Sequence, residues 1–316
     1  MKTRHLIAVA AAALFATSAM AQESKVTIAI SGWTGFAPLT LATEAGLYKK
    51  LGLDVTIKKV PQKDRHLVIA SGDVQCAATT VETWIGWNAA GVATTQIFQL
   101  DKSFGADGLV VRSNVQKVSD LKGKTVGADA PGTAGYFGLA WILRKNGLSI
   151  KDVKVVNLGP QAAANAFIAG TADLDAAMTY EPYLSAVRAK PEAGKIIATT
   201  LDYPMVMDTF GCTPKFLAEN PKAAKALADG YFDALAMIKA EPKKSFEIMG
   251  ADVKSTGEQF EASQKYLQWQ DRAANQKFFA GEHAAFSKEA GELLLEMGIV
   301  KQLPDMSKLV DTRFIK

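Results

Sequence analysis

Glu82 is followed two positions later by Trp84, and Glu181 lies between Tyr180 and Tyr183 with Pro182 beside it. A carboxylate only accepts hydrogen bonds, and an aromatic face attracts positive charge, so this combination suits a cationic or N–H-rich ligand. Thr80 adds a hydroxyl two residues before Glu82. Asp101 and Asp107 sit in DKSFGADGLV, and Asp202 and Asp208 in DYPMVMDTFG. The competing reading of each is structural. An acidic residue in the first turn of a helix complements the helix dipole, and Pro182 marks Glu181 as such a residue. Aspartates near chain crossings often only shape turns.

Two glycine-bearing loops offer backbone donors. In SGWTGFAP, Trp33, Thr34, Gly35 and Phe36 fall where a strand gives way to a helix, and free N–H groups at a helix start suit an anion or a carbonyl oxygen. Trp33 would equally well cap a core. In ADAPGTAGYF, Gly132, Thr133 and Ala134 let a ligand approach the backbone, and Tyr136 can close over it. This loop lacks both the G-x-G-x-x-G pattern and the lysine of a phosphate loop. His66 and His283 are far apart in helical stretches, which argues against a metal site. There is no G-x-S-x-G or Ser/His/Asp arrangement, and Cys76 has no base near it in sequence. The residues therefore call for a bound small molecule, without cofactor, metal or catalytic group.

The elements that must position these residues come twice. IASGDVQCAATTVETW (69–84) and IAGTADLDAAMTYEPY (168–183) superpose without a gap at a spacing of 99, matching Ile, Ala, Ala-Ala, Thr and Glu. Around them the order strand, loop, helix, strand, helix, strand, helix runs once from residue 25 and again from residue 124. Such alternation predicts an α/β protein of two lobes, each a mainly parallel sheet flanked by helices. From about residue 216 the chain is rich in Ala, Lys, Glu and Leu and reads as helices. The expected plan is one lobe from 22–111 and 206–316 and a second from 112–205, with crossovers near 108–111 and 205–212. Ligands of open α/β sheets lie beyond the C-terminal strand edges, so each repeat would deliver an acid and a ring to one side of a shared cleft. Which of Asp173 and Asp175 is structural stays open, as does the register of the repeat at the cleft.

The first residues read as an export signal: Lys2 and Arg4, an apolar run over 6–15, and the small-x-small site Ala19-Met20-Ala21. The run is too short to span a bilayer. Cleavage after Ala21 would leave Gln22 first, with no cysteine for lipid attachment, and a soluble chain in a periplasm. Without Lys2 and Arg4 the formal charge falls from +4 to +2, which gives no sign of a nucleic-acid partner. Cys76 and Cys212 would meet an oxidising compartment and can pair. Their apolar, strand-like surroundings favour two buried thiols.

GWTGFAPLTLATEAGLYKKLGLDVTI, DLKGKTVGADAPGTAGYFGLAWILRKNGL and AFIAGTADLDAAMTYEPYLSAV resemble, in that order, the segments of solute-binding proteins serving nitrate, sulfonate, taurine and thiamine-precursor ABC importers. The likeness covers nearly all of the chain after residue 21. It implies a two-lobed periplasmic binding protein that closes on a small ligand and docks on an inner-membrane permease. With the acidic and aromatic loop tips added, the expected ligand is sulfonate/taurine-like or amine/amidine-like and the expected state a monomer. GTADLDAA is longer than the turn usual in that family. Relatives on the same scaffold include dehydratases and pyrimidine synthases, so an enzyme is the alternative, with a ligand sensor as a third reading. The scarcity of histidine and the export signal favour transport.

Overall fold

A computed structural model describes residues 23–316. The expected export signal lies outside the described residues. Eleven strands form two sheets: β1 (Ser24–Ile30), β2 (Leu53–Lys59), β3 (Cys76–Thr80), β4 (Thr95–Ser103), β5 (Asp107–Val111), β6 (Thr125–Ala128), β7 (Lys154–Asn157), β8 (Ala176–Tyr180), β9 (Lys195–Thr199), β10 (Met207–Cys212) and β11 (Leu267–Trp269). The first sheet has the order β11-β4-β10-β3-β1-β2 and the second β7-β6-β8-β5-β9. The central strands β3, β5 and β10 are buried at every position. This is what sheets covered on both faces require, and it is why these strands read as continuous small or apolar runs.

The sheets repeat each other. β1 pairs in parallel with β2 and β3, as β6 does with β7 and β8. A reversed strand follows in each: β10 runs antiparallel between β3 and β4, and β5 antiparallel between β8 and β9. The parallel cores match the expectation; β5 and β10 depart from it because each carries the chain in from the other sheet, and the short edge strand β11 also runs antiparallel, to β4. The first crossing runs through 104–106 and the second through 200–206, a few residues upstream of the positions expected from sequence. They are tied together, with the Ser103 and Thr200 hydroxyls 2.6 Å apart and the Gly105 N–H donating to Thr200 Oγ1 at 2.8 Å.

The true spacing of the repeat is 100, not 99. Gln75 Oε1 accepts from Thr27 N at 2.9 Å, and Asp175 Oδ2 accepts from Thr125 N at 2.9 Å. The register follows, with Cys76 opposite Ile28 and Ala176 opposite Val126. Asp175 is thus the structural acid, pinning the start of β8 and pairing with Lys124 at 3.5 Å. Asp173 occupies a left-handed turn position (φ 61°), within the longer connection that holds the extra residue. Thr80 and Tyr180 are then equivalent, each the last residue of its strand. So are Asp208, opposite Thr80, and Asp107, opposite Tyr180.

Cys76 and Cys212 form a disulfide, which corrects the expectation of two buried thiols. The antiparallel register of β3 and β10 sets them directly opposite, with Cα atoms 3.9 Å apart. Apolar surroundings said nothing about that register.

The helix Pro221–Ala240, opened by Pro at its first position, lays Ala224, Leu227, Tyr231 and Ala234 into the core of the first sheet. The later helix His283–Glu296 instead places Phe286, Ala290, Leu293 and Leu294 with Phe137, Ile142 and Val126 in the core of the second. The C-terminal segment therefore braces both sheets. No helix among the described residues is long and apolar enough to cross a membrane.

Candidate functional site

The C-terminal ends of β3 and β8 face each other across a small cavity. Thr80 and Asp208 come from the first sheet, and Tyr180 and Asp107 from the second. Trp33 and Phe36 come from the loop after β1, and Ala134 from the start of the helix after β6. Ser31, Gln62, Arg65 and Val206 complete the wall. The void is about 20 Å3. Contacts across it include Gln62 Oε1, which accepts from Ala134 N at 3.1 Å, and the Trp33 and Tyr180 rings, which meet edge to face at 5.2 Å. Away from it, Val81 and Ile85, just after β3, pack into the core of the second sheet.

Four buried carboxyl groups surround this point. Asp107 and Asp208 line it. Glu82 stands behind Thr80, whose hydroxyl donates to Glu82 Oε1. Asp101 accepts from Trp33 Nε1 at 3.2 Å. All four side chains are at most 3% exposed. Glu82 Oε2, Asp101 Oδ2 and Asp107 Oδ2 have no hydrogen-bond partner. Burial pushes the carboxyls of Glu82 and Asp107 up to about 7. Burial also holds Asp101 and Asp208 well above the usual range, and neighbouring carboxylates add to it. The buried cation facing them is Arg65, which donates to Val60 O at 3.1 Å and to Ala78 O, and whose own proton is loosened by burial to about 10.

Of the residues expected from sequence, Trp33, Phe36, Thr80, Asp107, Ala134, Tyr180 and Asp208 line the cavity. Gly35 supports it from below, since a Cβ there would fall 2.3 Å from Asp101 Oδ2. Gly132 (φ +86°) makes the turn before Thr133, whose hydroxyl is spent on Ala130 O at 2.8 Å. Tyr136 is half-buried against the second core. Trp84 lies in a core and donates to Thr209 Oγ1 at 2.8 Å. Tyr183 borders an outer groove of about 590 Å3 that shares Ser31, Gln62 and Tyr180 with the cavity and forms its mouth. Glu181 is turned away from the cavity, held by Arg188 and by Ser185 N at 3.1 Å. With Thr34 it borders a larger solvent-open groove of about 620 Å3, where its charge is already matched. Gln62 was not singled out from sequence, and Arg65 counts there only among the few basic residues near loop tips. Their helix, Gln62–Ala70, reads as an ordinary amphipathic surface helix, and only its start at a strand edge marks it.

Two repeated sheets joined by two crossings, with a cavity between them, define the class of two-lobed binding-protein folds. The chain belongs to the NMT1/THI5-like family, whose family model matches residues 33–245. It is 28% identical over 243 residues to the taurine-binding periplasmic protein of Escherichia coli (strain K12), covering 73% of this chain and 72% of that protein. The alkanesulfonate-binding protein SsuA of Xanthomonas axonopodis pv. citri, solved with MOPS, superposes with a TM-score of 0.77 at 17% identity, over 92% of this chain and 99% of that one. A desulfurization enzyme, DSZB, shares the fold at a TM-score of 0.67 and 14% identity, over 92% and 97%. The family, the fold and the nitrate/sulfonate/taurine binding-protein likeness read from the motifs thus stand.

Proposed function

We propose that this protein is the exported, monomeric solute-binding component of an ABC importer, which closes its two sheets on a small polar nitrogen- or sulfur-containing organic ligand and delivers it to an inner-membrane permease. The observation that carries this reading is the cavity between the two sheets. Its walls come from equivalent strand ends of both sheets, and its lining includes the buried, unpartnered Asp107 Oδ2, which is costly unless a ligand meets it. Closure around a ligand is favoured only by contacts that the open form lacks. The enzyme reading has one observation in its favour, two carboxyls poised near neutral pH.

A thermal-shift panel of taurine, alkanesulfonates, nitrate, guanidine, small amines and pyrimidines tests binding. A ligand at a hundredfold its dissociation constant adds about 2.7 kcal/mol of stability. The best ligand is then incubated with stoichiometric protein and recovered by mass spectrometry. Intact recovery is expected, and a chemically altered product would establish the enzyme.

A further inference from the structure

We propose that the cavity takes a small, planar, N–H-rich cation, an amidinium or guanidinium, seated between Asp107 and Asp208. This rests on the solute-binding reading and narrows its ligand. The two aspartates are equivalent by fold: each is on the reversed strand of its sheet, opposite the last residue of the neighbouring parallel strand. Closing the sheets therefore brings one carboxyl group from each side against whatever lies between them. Asp107 is 3% exposed, lines the void and leaves Oδ2 without a partner. Behind it, Glu82 Oε2 and Asp101 Oδ2 are also buried and unpartnered.

The chemistry of the wall selects among ligands. An anion would meet four buried carboxyl groups and one guanidinium, Arg65, which already donates to two backbone carbonyls. A quaternary ammonium would satisfy the charge but leave the carboxylate oxygens dry, because it has no N–H. No group of three His, Cys, Asp or Glu among the described residues converges closely enough to hold a metal ion. A planar fork of N–H donors matches carboxylates in pairs, as arginine does. Trp33, Phe36 and Tyr180 supply faces and edges for a flat cation. The void of about 20 Å3 is little more than one water needs, so a ligand of few heavy atoms fits with the smallest parting of the walls.

The test is calorimetric titration of the chain from Gln22 onward at pH 8 with millimolar guanidinium and acetamidinium chlorides, beside tetramethylammonium chloride, taurine and sodium nitrate. The first two should bind and the other three should not. Asp107→Asn and Asp208→Asn should each weaken binding tenfold or more, and Glu44→Gln, on the surface, should leave it unchanged. Removing one of several crowded carboxyls relieves repulsion, so Asp107→Asn without ligand should melt no lower than the parent, which separates lost binding from lost fold. Tetramethylammonium binding as tightly as guanidinium would overturn the N–H requirement. Taurine or nitrate binding while both planar cations fail would overturn the cation and leave the solute-binding reading standing. Silence from all five would overturn the planar cation and leave that reading to the wider panel. Undiminished binding in both aspartate variants would overturn the seat.

Discussion

In the unfolded chain Glu82 and Asp107 give up their protons at roughly pH 4, whereas burial in the fold holds them until about 7. Between those values the folded state binds more protons than the unfolded one, so folding stability must fall as pH rises through that window. Asp101 and Asp208 push the same way, Arg65 pulls against them, and Asp129, Tyr180 and the Glu181–Arg188 pair also surround the site. Urea titrations of the ligand-free protein should show it more stable at pH 5 than at pH 8, by a few kcal/mol. Asp107→Asn should flatten the slope, and equal stability at both pH values in the parent would refute the buried acidic cluster. A cationic ligand meets the ionised form, so its affinity should rise over the same window. The bias toward acids and rings was legible in the sequence, in Trp33, Asp107, Tyr180 and Asp208. Gln62 was not, and Arg65 only as a basic residue near a loop tip, because a helix periodicity does not say which end abuts another sheet.

At the scale of elements, one residue decides which acid faces the ligand. Matching identities in the repeat aligned Glu82 with Glu181 and gave them one role. The hydrogen bonds of Gln75 and Asp175 show that the second copy carries one residue more before its strand. In a strand a slip of one residue moves every side chain to the other face. Tyr180, not Thr179, is therefore the counterpart of Thr80, and Glu181, now the counterpart of Val81 rather than Glu82, falls outside the cavity against Arg188. The strands themselves were legible from β-branched and small-residue runs. The pairing of β5 and β10 was not, since each finds its partner far along the chain. The disulfide was missed for the same reason. Glu181→Gln should consequently leave ligand affinity within about twofold. It should cost the fold about 1–3 kcal/mol, because Arg188 loses its charged partner while still reaching Gly105 O. A tenfold loss of affinity in this variant, with unchanged stability, would return Glu181 to the ligand.

For the molecule as a whole, the two crossings and the cavity wall have different parts in any opening motion. The hydroxyl pair of Ser103 and Thr200 joins the crossings, where displacement about a hinge is smallest. The contacts across the cavity that must separate include the Gln62–Ala134 hydrogen bond and the Trp33–Tyr180 edge-to-face pair. A ligand between these walls adds contacts that the open form lacks, which favours closure. Small-angle scattering should therefore show a smaller radius of gyration with saturating ligand than without it. The helix His283–Glu296 packs in the second core together with Phe278, Val300 and Leu309 on either side of it and with Val81 and Ile85 from just after β3, so these contacts limit how far a rotation about the crossings can go. Gln62→Ala removes the one side chain that bonds Thr79 and Thr83 on one side and the Ala134 amide on the other. It should bind the same ligand several-fold more weakly, mostly through faster release, and compact to the same final radius once saturated. An identical scattering profile with and without bound ligand in the parent would show that the cleft does not close.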